Sequence, residues 1–302
     1  MPNFPLVVAA ALLSLACVAF AEAPSANFYP SGTVEMKEIP YDGNTNPAQT
    51  FDLYLPPGSQ VPPAPGAKTL PLLFWIHGGA WRLGIKDWVS TKYLAAEGFA
   101  VVSIGYRFSQ ESIFPAQIQD CNACLNFVLK NAARYGIDPK KVIIGGGSAG
   151  GHLALLIGFA RGQKDWGADP TFHPRAIIDF FGPVDFTDWT KYVTDPQLKI
   201  NVAHDVNQLL GAAPADKPDV AKIASPLTYL TAMSPPVLIV HGAMDPLVPL
   251  AQSRQLKTAL DHAHVKNKLV IIPNAGHDGP IFETTDVRKR VLPFVTEMMH
   301  AP

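Results

Sequence analysis

The chain has 302 residues, with 24 Lys and Arg against 25 Asp and Glu, a formal net charge of −1, and only 16% charged residues against 48% hydrophobic ones. No window clusters the Lys and Arg that phosphate contacts require, so a nucleic-acid partner is excluded, and the apolar fraction excludes disorder. At this length the chain can bury a large core as one large domain or two small ones.

Taken in chain order, the first feature is the uncharged run LVVAAALLSLACVAFA from Leu6 to Ala21. It is shorter than the roughly 20 residues that span a bilayer, and it ends in Ala19-Phe20-Ala21, an A-x-A cleavage pattern. Residues 1–21 are therefore expected to be a signal peptide cut before Glu22, which would make the protein secreted or periplasmic. An uncleaved anchor is the alternative, because the leader MPNFP lacks Lys or Arg. Ser14-Leu15-Ala16 before Cys17 fits a lipoprotein signal poorly.

Beyond it, short β-rich runs alternate with helical stretches: FDLYL at 51–55, LLFWIH at 72–77, AVVSIGY at 100–106, KVIIGG at 141–146, AIIDFF at 176–181, PVLIVHG at 236–242 and KLVIIP at 268–273. Several are nearly continuous apolar runs, the pattern of strands covered on both faces, and the helical segments supply the crossovers of a parallel sheet. The class is α/β. The Pro-rich stretch VPPAPGAKTLP at 61–71 reads as a surface connection between two early strands. In DCNACLNFVLKNAARYG, residues Ile118, Cys121, Leu125, Val128, Leu129 and Ala132 follow helical spacing, which predicts Cys121 and Cys124 as small core residues inside a helix rather than a redox pair at its N-terminus. The less regular stretch at about 182–233 is longer than a crossover needs and is expected to cover one end of the sheet as a substrate-shaping insertion. A single domain over 22–302 is the expected organisation.

The run KVIIG leads into Gly145-Gly146-Gly147-Ser148-Ala149-Gly150-Gly151 and then the apolar HLALLIGFA. Two motifs overlap there: Gly145, Gly147 and Gly150 satisfy G-x-G-x-x-G, and Gly146, Ser148 and Gly150 satisfy G-x-S-x-G. Both expect strand, turn and helix. A dinucleotide fingerprint belongs in the first βαβ unit with an acidic residue at a strand end about 20 residues on, but this turn follows several strands and a loop lies near residue 165. The nucleophile elbow is therefore preferred. Its geometry demands residues without side chains two before and two after the serine, and Gly146 and Gly150 meet that demand.

Serine at its ordinary pKa needs an imidazole to take its proton and a carboxylate to orient the imidazole. After PVLIV comes HGAMDPLVP, with Asp245 beyond a strand end; after KLVIIP comes NAGHDG, with His277 in the next such loop. The order Ser, Asp, His is the one that the elbow requires. Asp278 and Asp185 are rival acids. Oxyanion donors are expected from the backbone of His77-Gly78-Gly79-Ala80-Trp81 after LLFWI, with the amides of Gly79 and Ala80 joined by that of Ala149.

The segments WIHGGAW, YRFSQESIFPAQIQD, YGIDPKKVIIGGGSAGGHLAL, HGAMDPLVP and NAGHDG, in this order, resemble the α/β-hydrolase superfamily, most closely the branch of HGG-containing carboxylesterases that includes feruloyl and acetyl-xylan esterases. The resemblance implies an α/β-hydrolase fold, a mostly parallel twisted sheet with helices on both faces. It also implies Ser148, Asp245 and His277 as the triad. Two positions depart from the pattern: Ala80 stands where HGGG lipases carry Gly, as in an HGG-x-W subgroup, and Asp278 follows the histidine.

Other signals carry less. His262 and His264 lack a third metal ligand and read as a solvated helix end, His152 reads as a packed, hydrogen-bonded histidine, and no metal or cofactor is expected. Trp81 is a candidate substrate-binding residue through its motif; Trp88, Trp166 and Trp189 read as packing residues. The expected activity is a cofactor-independent serine carboxylesterase acting on a small-molecule or polysaccharide ester, such as an acetyl or hydroxycinnamoyl ester. No membrane partner is expected after signal cleavage, and oligomeric state stays open. An arylformamidase-like amide hydrolase and a non-catalytic ligand-binding protein on a hydrolase fold are the alternatives.

Overall fold

In the computed structural model, residues 31–187, 189–278 and 280–300 are described; the expected signal peptide at 1–21 lies outside them. Eight strands form one sheet: β1 (Val34–Pro40), β2 (Thr50–Leu55), β3 (Leu70–Ile76), β4 (Ala100–Ile104), β5 (Ile137–Gly147), β6 (Ala176–Phe180), β7 (Val237–Gly242) and β8 (Asn267–Ile272). Their order is β1-β2-β4-β3-β5-β6-β7-β8, with β1, β2 and β4 joined antiparallel and every other neighbouring pair parallel. Seven strands coincide with the apolar runs legible in the sequence. The eighth, β1, reads VEMKEIP and sits at the edge with its charged side chains outward. A register shift between Met36 and Ile39, with Glu38 at φ 54° and Pro40 at the end, breaks the edge that a second sheet could otherwise extend.

Side chains alternate across the pleat, so each strand feeds two cores. Leu72, Phe74, Ile76, Val102 and Ile144 face one cluster with α1 (Ala116–Lys130), α3 (Ala149–Phe159) and α6 (Leu250–His262). Leu73, Trp75, Val101, Ile143 and Ile178 face the other with α7 (Thr285–His300). Burial on both faces is why these strands read as unbroken apolar runs. Within α1, Cys121 and Cys124 are fully buried free thiols, and burial pushes both thiols well above their ordinary value, which leaves them unreactive. The short α2 (Ala132–Tyr135) ends at Gly136 in the left-handed conformation and hands the chain to β5.

The 182–233 stretch holds α4 (Pro196–Leu210) and α5 (Pro218–Ala224). Local chemistry sets the bounds of α4: the Asp195 carboxylate caps the Leu198 N–H at 2.8 Å, Pro196 stands in the first turn, and Gly211 closes the helix at φ 75°. Two ties bind α4 to the rest. The Phe114 N–H donates to Leu209 O at 2.8 Å, and Arg82 pairs with Asp205 at 2.7 Å.

The turn between β5 and α3 brings three backbones closer than any side chain allows. A Cβ on Gly146 would lie 2.7 Å from Ile76 O, besides overlapping Gly150; a Cβ on Gly150 would overlap Ile76 and stand 2.7 Å from His77 O. The obstacles are backbone atoms of β3, which cannot rotate away. We expect Gly150→Ala to lower stability by at least about 2–3 kcal/mol, read as a reduced urea midpoint at unchanged slope. Gly162→Ala, whose added carbon meets nothing within 4 Å, should stay within about 0.5 kcal/mol of the parent. Equal midpoints for the two variants would contradict the packing described.

Candidate active site

Ser148 lies between the last residue of β5 and the first of α3 with φ 54° and ψ −120°, a conformation that favours glycine. It is held there by its own backbone: the Ser148 N–H donates to Phe180 O on β6 at 2.8 Å, and Ser148 O accepts the His152 N–H at 3.0 Å. The side chain is thereby lifted off the carboxyl end of the sheet, at the mouth where α3 presents its open N-terminal amides.

Two further loops at the same sheet end complete the arrangement. Asp245 follows β7; its Oδ1 accepts the N–H groups of Leu247 and Val248, each at 2.9 Å, which locks the carboxylate in a turn. His277 follows β8, with Nδ1 2.8 Å from Asp245 Oδ2 and Nε2 2.8 Å from Ser148 Oγ. A carboxylate on Nδ1 fixes the proton there, so Nε2 is left to accept the serine hydroxyl. The Asp245 side chain is fully buried, while His277 keeps 15% of its surface exposed, facing outward for a reactant. Burial alone would raise the Asp245 carboxyl, but the charge and hydrogen bonds of His277 and His241 outweigh it and hold the carboxyl well below the usual carboxylate range.

His241 is a partner that the sequence reading passed over. Its Nε2 lies 2.8 Å from Val248 O and 3.1 Å from Asp245 Oδ2, and its Nδ1 lies 2.7 Å from Ser253 Oγ on α6. Two imidazoles therefore share one carboxylate oxygen. The only signal in the sequence is the fixed spacing of His241 and Asp245 across the end of β7. The Phe181 ring, centred 4.8 Å from that of His277, backs the imidazole on its other side.

The third loop follows β3. Gly79, Ala80 and Trp81 are all left-handed, at φ 108°, 51° and 58°; for the two non-glycine residues this costs on the order of 1–2 kcal/mol each. Gly78 passes close to the nucleophile, since a Cβ there would stand 2.8 Å from Gly147 O and 3.3 Å from Ser148 Cβ. Among the described residues no hydrogen bond uses the Gly79 or Ala80 N–H as donor, and the Ala149 N–H opens α3 without a carbonyl one turn back in the helix. The three amides expected from the sequence to serve an oxyanion are thus left without a backbone acceptor.

Trp81 does not sit where the sequence suggested. It is 4% exposed, and its indole N–H donates to His152 Nδ1 at 3.1 Å, while its ring packs edge-on against Phe186. Its ring is committed to the interior, and the expected contact with substrate is replaced by packing beneath the loop. His152 is fully buried, with Nε2 2.8 Å from Ala224 O. Of the rival acids, Asp185 caps its own loop, with Oδ1 accepting from Thr187 N and Oγ1, and Asp278 is exposed; neither is the partner of His277 Nδ1. His262 and His264 are exposed at the end of α6. Among the described residues no cluster of three His, Cys, Asp or Glu side chains could hold a metal ion, and no helix is long and apolar enough to cross a membrane.

Known proteins resemble the chain in sequence and in fold. A family model described as BD-FAE matches residues 51–260. Esterase LipQ of Mycobacterium tuberculosis is 30% identical over 279 residues, 87% of this chain and 64% of LipQ; esterase LipC of the same organism is 27% identical over 239 residues, 77% of this chain and 57% of LipC. The chain thus spans about six tenths of the length of these relatives. A solved structure titled "Truncated form of carbohydrate esterase from gut microbiota" superposes with a TM-score of 0.79 at 29% identity, covering 93% of this chain and all of that one. The fold is that of the α/β hydrolases.

Three fully buried groups contribute to the response to acid. Burial pushes the imidazoles of His77 and His152 down to about 4 from an ordinary 6.5, against the pull of their carbonyl partners Gly78 and Ala224. Burial pushes Asp179 up to about 8 from 3.8, with only the Gly182 N–H opposing it. Between pH 4 and 6.5 the unfolded chain binds two histidine protons that the folded chain lacks, and it lacks the Asp179 proton that the folded chain keeps. Counting these three groups alone, the net excess is one proton, so their contribution to stability rises with pH in this window and falls from 6.5 to 8, where Asp179 alone remains unbalanced. Urea unfolding across pH 4–8 should show that maximum, and His152→Gln should flatten its acid side; a profile that falls from pH 4 to 6.5 would overturn the assignment.

Proposed function

The chain belongs to the BD-FAE family, and from that membership and its site we propose that it is a serine carboxylic ester hydrolase. The observation that carries the reading is the unbroken chain Ser148 Oγ, His277 Nε2, His277 Nδ1, Asp245 Oδ2, with both links at 2.8 Å. Ser148 Oγ attacks the ester carbonyl carbon while its proton passes to His277 Nε2. The imidazolium so formed faces the Asp245 carboxylate, which stays ionised through the working range because its carboxyl lies so low. Charge on the carbonyl oxygen is met by the amides of Gly79, Ala80 and Ala149, which are committed to no other backbone acceptor, so little reorganisation accompanies the step. Collapse expels the alcohol, which takes the proton from His277. Water then attacks the acyl carbon, giving its proton to His277, and as the acyl–Oγ bond breaks and the acid leaves, His277 returns the proton to Ser148 Oγ.

The substrate class that we propose is an ester of a carbohydrate, with an acetyl or hydroxycinnamoyl acyl group. Support comes from the 29% identical structure whose title names a carbohydrate esterase. Export fits such a substrate, and the apolar run from Leu6 to Ala21 with its Ala19-Phe20-Ala21 ending supports it.

Ser148→Ala should lose turnover of a p-nitrophenyl acyl ester by at least about 10⁴-fold with the folded state retained, and the parent should take one equivalent of a fluorophosphonate on Ser148. Retained turnover in Ser148→Ala would refute the nucleophile. Rates on an acetylated xylo-oligosaccharide, methyl ferulate, a decanoyl ester and a formyl-anilide then test the substrate class. A preference for the last two would overturn the carbohydrate ester.

A further inference from the structure

The left-handed run Gly79-Ala80-Trp81 persists only if its surroundings over-determine it. Part of that restraint is local. Gly79 O accepts the N–H groups of Arg82 and Leu83, each at 3.0 Å, and Trp81 O accepts the Ser109 N–H at 2.8 Å. Neither contact reaches α3, yet an oxyanion hole built from Gly79, Ala80 and Ala149 needs its two halves in fixed register. The hydrogen bond that does span them is Trp81 Nε1–H to His152 Nδ1 at 3.1 Å.

His152 is suited to that task by its surroundings. It stands one helical turn after Ser148, and its own N–H donates to Ser148 O. Its ring is fully buried, edge-on to both Trp81 and Phe186 with centroids 5.4 and 5.0 Å away. Burial keeps the ring neutral above about pH 4, so one nitrogen accepts and the other donates. Trp81 can only donate, which assigns the acceptor role to Nδ1; Ala224 O can only accept, which assigns the proton to Nε2. The three segments joined in this way are the loop after β3, the helix that carries Ser148, and the end of α5 in the 182–233 insertion.

We infer that Trp81 and His152 are positioning residues for the oxyanion hole, their shared hydrogen bond holding the Gly79 and Ala80 amides in register with that of Ala149. The inference rests on the ester-hydrolase reading above. Both side chains are buried beneath the loop. Apolar packing alone would leave the loop free to slide, whereas a buried hydrogen bond fixes both distance and direction. A shift of about 1 Å in such donors is enough to cost up to 10²-fold in rate.

Trp81→Phe removes the N–H and keeps a ring in place. On a p-nitrophenyl acyl ester, with active sites counted by stoichiometric fluorophosphonate labelling, kcat should fall about tenfold at unchanged KM. Affinity for an alkyl boronic acid, whose adduct on Ser148 places an oxygen in the hole, should fall by the same factor, while affinity for a ground-state carboxamide competitor should not move. His152→Gln, which keeps one acceptor and one donor, should stay within about threefold of the parent. Parental kcat and boronate affinity in Trp81→Phe would overturn the proposal, as would an equal weakening of boronate and carboxamide. If the parent itself neither turns over esters nor takes the label, the hydrolase reading fails first.

Discussion

The structure depends on one close approach: the backbone of the β5–α3 turn seated against the carboxyl end of β3, with no side chain between them. Gly146 and Gly150 make it possible, because any Cβ at either position would meet main-chain atoms of Ile76. Everything that bears on chemistry is referred to this contact. It puts Ser148 at the crest of the sheet, opens the first amides of α3 beside it, and brings the loop after β3 within reach of both. The same approach leaves Gly78 next to Ser148 Cβ, so the loop after β3 and Ser148 are neighbours by construction.

Around that contact the polar groups divide into two kinds. Asp245 is buried but surrounded by donors, two backbone amides and two imidazoles, and so stays charged where burial alone would neutralise it. His77 and His152 are buried with few partners and stay uncharged. His77 stacks on Tyr106 at 4.5 Å and supports the start of the oxyanion loop through Gly78 O. Charge is thus confined to the side of the site that holds His277, and neutral donors and acceptors hold the loop after β3. In a medium of low effective dielectric both choices are magnified, since a paired charge is stabilised and an unpaired one is costly.

Much of this was legible in the sequence, for identifiable reasons. Seven strands announced themselves because burial on both faces forces continuous apolar runs, and Ser148, Asp245 and His277 stood out because each follows such a run at a strand end. The structure brings those three within hydrogen-bonding distance of one another. Strand β1 stayed hidden because an edge strand is half solvated, and its Glu35, Lys37 and Glu38 read as polar surface. Trp81 was read as a pocket residue, and its burial depends on His152 and Phe186, which lie 71 and 105 positions further along the chain. His241 was passed over because nothing in a strand sequence reveals which way the ring at its end turns. What escaped is in each case a property of packing between distant segments.

The link from His152 to the insertion ends on Ala224 O, a main-chain atom. Every residue type offers the same carbonyl, so no particular side chain at that position is required for the link to form. The end of α5 can therefore diverge in composition while its tie to His152 is kept. The side chains there can drift over evolutionary time while the segment stays coupled to α3 through an atom on which point substitution has no purchase.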